Sequence, residues 1–278
     1  MYVPVIFREY DIRGVYNGQF DDNFAYLLGR AYVVYMKENK GITNPTVAIG
    51  HDARTSCPAI VANLTKGLTD SGAKVIHLGL VTTPVCYFST FEVKGVDGAV
   101  QVTGSHNPPE FNGFKISVGK STIFGAEIQK LRMIIEKGQY IDGQGSEETF
   151  DIKPMYYERY KKEFGQLKNI KIVLDCGNGA GGSVVKGLFA AVGLTPTIMF
   201  EQPDGTFPNH HPDPTVEENL VDLAAEVKKQ GAICGIGFDG DADRIGVVDH
   251  TGRMIYGDEL MTIIARDILT TQKDAKII

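Results

Sequence analysis

Short apolar runs of strand length alternate with amphipathic stretches of helical period along almost the whole chain. Asp21 can cap a helix over 22–38, and Pro45–Gly50 reads as a short buried strand. Residues 57–71 put Ile60, Val61, Leu64 and Leu68 on one helical face, and 74–79 is the next strand. A helix over 84–91, strands over 97–103 and 113–118, and a helix over 125–136 complete a first unit. Such alternation predicts α/β architecture, with mainly parallel sheets covered on both faces.

Residues 137–149 lack an apolar period and contain three glycines, the chemistry of a linker. A second alternating unit follows, with helices over 154–165 and 183–192, and with Leu220, Leu223, Ala224 and Val227 on a third helical face. Its strands end at Asp175, span TPTIMF, and close the unit over 232–238 and 244–249. Two successive three-layer α/β/α domains are expected, 1–150 and 151–257. After Gly257 an amphipathic helix (Leu260, Ile264, Ile268) runs into KDAKII, which reads as a strand beginning. A lone strand cannot bury itself, so 258–278 is read as the start of a third domain that this chain does not contain.

Two loops carry chemistry. The first, Thr103-Gly104-Ser105-His106-Asn107-Pro108-Pro109, joins two strands, and its prolines fix the chain direction around Ser105. A serine held beside a histidine is a candidate nucleophile; a polar turn without chemistry is the simpler reading of that pair alone. The second loop, Gly237–Arg244, sets Asp239, Asp241 and Asp243 at alternating positions. Three such carboxylates repel one another unless a cation lies among them, and Mg²⁺ takes such oxygens together with phosphate and water. A calcium-binding EF-hand would require Gly at Arg244 and Glu at His250, and an acidic surface turn is the bland alternative.

Charge counting links the loops. Three aspartates and a phosphoserine carry about −5, and one Mg²⁺ leaves about −3. The chain as a whole is acidic, with net charge −6 and a pI near 5.6. Nothing therefore attracts nucleic acid or an anionic membrane, and an anionic substrate needs a local basic pocket. Arg244, Lys115, Arg13 and Arg8 are the candidate cations.

Gly177–Gly182 matches GxGxxG between a strand and a helix, with Glu201 19 residues beyond Gly182. Alone it supports a nicotinamide-dependent dehydrogenase. That reading explains neither Ser105 nor the aspartates, and a glycine turn packing a helix on its sheet is simpler. Four separated cysteines with no metal-ligand spacing suit a reducing cytoplasm. The N-terminus has no signal-peptide pattern, and no apolar run is long enough to span a membrane.

FREYDIRG (7–14), TGSHNPPEFNGFKI (103–116), VLDCGNGAGG (173–182), FPNHHPDP (207–214) and GFDGDADR (237–244) together resemble the α-D-phosphohexomutases, in their order, across nearly the whole chain. The resemblance implies a mutase that interconverts hexose 1- and 6-phosphates, of mannose or glucose, through a phosphoserine at Ser105 and a hexose 1,6-bisphosphate. It implies that Ser105, Asp239, Asp241 and Asp243 hold Mg²⁺, and that His106, Lys115, Arg13 and Arg244 surround the transferring group. Proton transfer would involve Lys115, His106 or Arg13, and Tyr10 would line the substrate cleft. Ala242 departs from the family's usual glycine without an expected effect on the ligands. The family's third and fourth domains, which read sugar and phosphate, have no counterpart here, so weak or no turnover is expected. A phosphatase with an aspartyl nucleophile and a non-catalytic metal or sugar-phosphate-binding module are the alternatives.

Overall fold

A computed structural model describes residues 2–277. The first sheet comprises β1 (Ile12–Val15), β2 (Thr46–His51), β3 (Lys74–Leu80), β4 (Gly98–Val102), β5 (Phe111–Val118), β6 (Ser121–Thr122) and β7 (Ser146–Thr149). Its order is β1-β5-β4-β2-β3-β7, with β6 paired to β5. The pairs β4–β2, β2–β3 and β3–β7 are parallel, whereas β1 and β5 add antiparallel strands at one side.

The period-2 alternation decides which side chains meet which helices. Val47, Ile49, Val100 and Val102 face one layer, where α1 (Asp22–Lys40), α2 (Cys57–Thr69) and α4 (Ala126–Lys137) pack. Asp21 caps α1 as its spacing predicts, accepting a 3.0 Å hydrogen bond from the Phe24 amide. Ala48, Ile76 and Ala99 face the other layer, against α3 (Thr83–Glu92). That same cluster takes in Ile152, Tyr156 and Val184, so the two units share a packed seam.

The second sheet runs β12-β11-β10-β8-β9, built from β8 (Ile172–Asp175), β9 (Thr197–Met199), β10 (Cys234–Phe238), β11 (Ile245–Asp249) and β12 (Met254–Ile255). β9, β8 and β10 are parallel, and β11 and β12 antiparallel. α7 (Val221–Gln230) covers one face through Leu223 and Val227, and α6 (Val185–Ala191) the other through Val185. α5 (Lys153–Phe164) lies between α3 and α6. The fold is thus two three-layer α/β/α units with mixed sheets that are parallel through their centres.

Two sequence expectations change. Ser146–Thr149, read as linker, is an edge strand parallel to β3, with a Lys74–Glu148 ion pair and a His77–Glu147 hydrogen bond across it. All four residues are exposed, so no alternation of burial marks them. Residues 273–277 of KDAKII form no strand, having no ladder partner; Ile278 lies outside the described residues. Between them, α8 (Gly257–Thr271) forms as expected, and none of its residues is buried.

The α1–α2 crossing rests on two glycines. A Cβ at Gly67 would lie 2.0 Å from the Tyr26 carbonyl oxygen, and one at Gly29 2.5 Å from that of Leu64. Backbone meets backbone there, and neither side can yield by a rotamer change. Gly67→Ala is expected to lower unfolding free energy by about 1–3 kcal/mol through forced separation of the helices. Urea denaturation measures this; an unchanged midpoint would refute the tight crossing.

Candidate functional site

Both chemical loops leave the C-terminal ends of strands that are parallel within their sheets, the position where ligands gather in α/β folds. The serine loop follows β4, and the aspartate turn joins β10 to β11. The two sheets bring these edges together. The Ser105 hydroxyl donates to Asp239 Oδ2 at 2.8 Å, across 134 residues of sequence. Gly240 permits the approach, since a Cβ there would stand 2.4 Å from the Ser105 carbonyl oxygen.

Asp239, Asp241 and Asp243 each offer an oxygen within 4.8 Å of the others. The turn that holds them is closed by its own amides: Asp239 Oδ1 accepts from the Asp243 and Arg244 N–H groups, both at 3.1 Å. Burial, then the charges of Asp241 and Asp243, push the Asp239 carboxyl well above the usual carboxylate range. Burial would also raise Asp241, but the Lys115 ammonium reverses that and holds it below the usual carboxylate range. Asp241 Oδ1 is buried and makes no hydrogen bond. A buried, unpartnered carboxylate oxygen beside two further carboxylates suits a small hard cation. The residues present therefore fit a divalent metal.

The cations converge as charge counting requires. Lys115, on β5, donates to Asp241 Oδ2 at 2.6 Å and to Asp243 Oδ2 at 2.5 Å. Burial works against its charge, but those two carboxylates overcome it and keep the ammonium protonated. Arg13, on β1, is buried, pairs with Asp11 and donates to Asn107 Oδ1 at 2.8 Å. Arg244 donates to His106 Nδ1 at 2.7 Å, and the Ser105 hydroxyl lies 3.3 Å from the same nitrogen. Burial first, and then Arg244 and Arg13, lower the His106 pKa, favouring a neutral ring. Tyr10 is 78% exposed at the rim. Arg8 is exposed and does not line the site.

A cavity of about 730 Å³ opens beside these groups, lined by Tyr10, Arg13, Lys115, Phe124, Asp243 and Arg244. Its size suits a small molecule. Thr83, at the start of α3, was not signalled by any motif; its hydroxyl donates to Asp241 Oδ2 at 2.5 Å, and its amide to the Asp241 carbonyl at 3.0 Å. Only the two-residue TT at a helix start could have drawn attention to it.

The glycine run packs the metal turn. Ala180 N–H donates to the Gly240 carbonyl at 2.9 Å, and Gly182 lies against the Glu201 backbone. The end of the run forms a 3₁₀ turn, Ala180–Ser183, and the seven-residue α6 follows. Asp175, at the end of β8, pairs with His210 of the FPNHHPDP stretch at 3.0 Å.

Models of the phosphoglucomutase/phosphomannomutase family match twice: α/β/α domain I over residues 4–142 and α/β/α domain II over 154–252. A phosphomannomutase/phosphoglucomutase of Pseudomonas aeruginosa is 44% identical over 98% of this chain and 58% of its own length. A phosphoglucomutase of Neisseria gonorrhoeae is 43% identical over 98% and 59%. A crystal structure of a phosphoglucomutase/phosphomannomutase family protein from Burkholderia thailandensis superposes with TM-score 0.91 at 38% identity, covering 98% of this chain and 60% of that one. The chain thus spans less than two thirds of the length of these relatives.

Ala242 adopts φ +54°, the left-handed region that favours glycine. Ala242→Gly is expected to raise stability by about 1 kcal/mol by relieving this strain. Thermal denaturation tests it, and a lower melting temperature would contradict the strain.

Proposed function

Because the chain belongs to the phosphoglucomutase/phosphomannomutase family, we propose that it carries the phosphoryl-transfer centre of a hexose-phosphate mutase, with Ser105 as the group that donates and recovers phosphate. The observation that supports this most is the 2.8 Å contact between the Ser105 hydroxyl and Asp239, inside a ring of Arg13, Lys115 and Arg244. A nucleophile in contact with a carboxylate cluster, beside several cations that line a cavity, meets the requirements of phosphoryl transfer.

In this reading residues 1–150 bear the serine loop, residues 151–257 bear the metal turn, and 258–278 open a further unit. Asp239, Asp241, Asp243 and a phosphoserine oxygen would hold Mg²⁺. When bound, the ion would neutralise carboxylate and phosphate charge and polarise the phosphorus–oxygen bonds. Lys115, Arg13 and Arg244 supply the remaining positive charge. In transfer to sugar, the Ser105 Oγ–P bond breaks as the substrate hydroxyl forms its own bond to phosphorus. The hydroxyl proton must leave: His106, kept neutral, is one acceptor beside Ser105, and Lys115, kept charged, stabilises oxygen anions on the phosphoryl group. Return transfer from the other end of a hexose 1,6-bisphosphate restores phosphoserine. Tyr10 and Arg13 border the space for the sugar. The substrate is a mannose or glucose phosphate, and nothing in the charge pattern invites nucleic acid. No helix among the described residues is long and apolar enough to cross a membrane. The four cysteines are unpaired, which supports a reducing compartment.

Peptide mass mapping before and after incubation with glucose 1,6-bisphosphate and Mg²⁺ tests the half-reaction on this chain. Phosphate is expected on Ser105 and on no aspartate, and Ser105→Ala should abolish it. An acid-labile aspartyl phosphate would favour the phosphatase chemistry instead. Absence of phosphate in every sample would count against the serine.

Asp241→Asn is expected to weaken Mg²⁺ binding by at least about tenfold. The fold should survive, because asparagine keeps the side-chain shape and an oxygen that can accept from Thr83 and Lys115. Thermal stabilisation by Mg²⁺ measures this, and an unaltered response would remove Asp241 from the ligand set.

A further inference from the structure

Directly beneath the serine loop lies a fully buried arginine outside the cavity, Arg54, in the turn between β2 and α2. A guanidinium has five N–H donors, and here every one is engaged. Nη2 donates to the carbonyls of Ser105 (2.9 Å) and Asn107 (2.6 Å), and Nη1 to those of Pro108 (2.5 Å) and Phe111 (2.9 Å). Nε donates to Asp52 Oδ2 at 3.1 Å. Asp52 is buried too, and its Oδ2 also accepts from the Thr103 hydroxyl (2.7 Å) and the Gly104 amide (3.1 Å). The Asp52–Arg54 pair thus grips the loop on both sides of Ser105.

That loop needs an external hold. Ser105 sits at φ +52°, a conformation an L-residue keeps only where its surroundings over-determine it. Pro108 and Pro109 have no N–H with which to build an internal ladder, so the loop's carbonyls turn inward to a single planar cation. Gly104 lies flat on that cation: a Cβ there would be 2.3 Å from Arg54 Cζ. The remaining face of the guanidinium carries the Phe207 ring of the second unit, with its centroid 5.3 Å from Cζ. Gly205 meets the Ala53 and Arg54 backbone beside it.

We propose that Arg54 is a positioning residue for phosphoryl transfer, which sets the Ser105 oxygen in register with the Asp239–Asp243 turn by clasping the serine loop from below and docking on Phe207. The inference rests on the phosphoserine reading. Arg54 contacts neither the Ser105 hydroxyl nor any of the three aspartates, so it acts through the loop backbone. Lysine keeps the charge opposite Asp52 but cannot span four carbonyls with one ammonium.

The experiment compares the unsubstituted chain with Arg54→Lys for two quantities: the rate of Ser105 phosphorylation by glucose 1,6-bisphosphate, and Mg²⁺ affinity by calorimetry. Expected is a fall of about 100-fold in rate, the scale of a misplacement near 1 Å, with Mg²⁺ affinity of the unphosphorylated chain within about twofold, because without the phosphate its ligands are the aspartates, which stand on another loop. Equal rates would overturn the proposal. Loss of rate and metal affinity together would make Arg54 a general structural residue and overturn it as well. Should Arg54→Lys fail to fold, Phe207→Leu removes the ring face without removing a hydrogen bond. A slower rate at unchanged Mg²⁺ affinity supports the proposal, and an unchanged rate overturns it. No phosphorylation of the unsubstituted chain would overturn the phosphoserine reading, and this inference with it; phosphorylation of that chain at the rate of its variants would overturn the inference alone.

Discussion

Asp239, Asp241 and Asp243 share one turn only because positive charge reaches them from the other sheet. Lys115 spans Asp241 and Asp243 from β5, and Asp239 meets the Ser105 hydroxyl. Without Lys115, burial would drive the Asp241 carboxyl towards its protonated form, as burial and its neighbours' charges already do at Asp239. Much else serves this contact. The β4 and β10 ends must face one another, the seam cluster of Ile152, Tyr156 and Val184 with Ala48 and Ala99 must fix their spacing, and Gly240 must let two backbones touch.

The seam carries polar as well as apolar contacts. The Thr83 amide and hydroxyl hold Asp241, and the Ser183 hydroxyl donates to the Leu80 carbonyl at 3.2 Å. Phe207 and Gly205 close on the turn that bears Arg54. Close-packed surfaces with directed hydrogen bonds resist sliding far better than apolar contact alone. A site divided between two loops on two sheets requires that rigidity, because a displacement of one sheet would open the distance from serine to carboxylate.

The expected elements α1 to α8 all form within a few residues of their read positions, because each has a clear apolar face or a cap such as Asp21. β7 escaped notice because an exposed edge strand has no buried face to print a pattern. The serine and aspartate loops stood out through unusual residue types at close spacing, charge counting tied Arg13 and Lys115 to them, and the family resemblance implied their roles and that of His106. Thr83 and Arg54 stayed hidden for a different reason. Each is an ordinary residue locally, and its meaning lies in partners 158 and 51 residues away.

By itself, then, the sequence determined the alternating α/β order and the presence of a serine–histidine loop and an aspartate-rich loop, since periodicity and unusual residue types at close spacing are properties of neighbouring residues. It also carried the family through five ordered motifs. Only the tertiary structure decided that Lys115 bridges two of the three aspartates, that Arg8 stands apart while Arg13 turns inward, and that the glycine run packs the metal turn. These outcomes depend on how two sheets approach, and that approach follows from long-range packing, which no local pattern encodes.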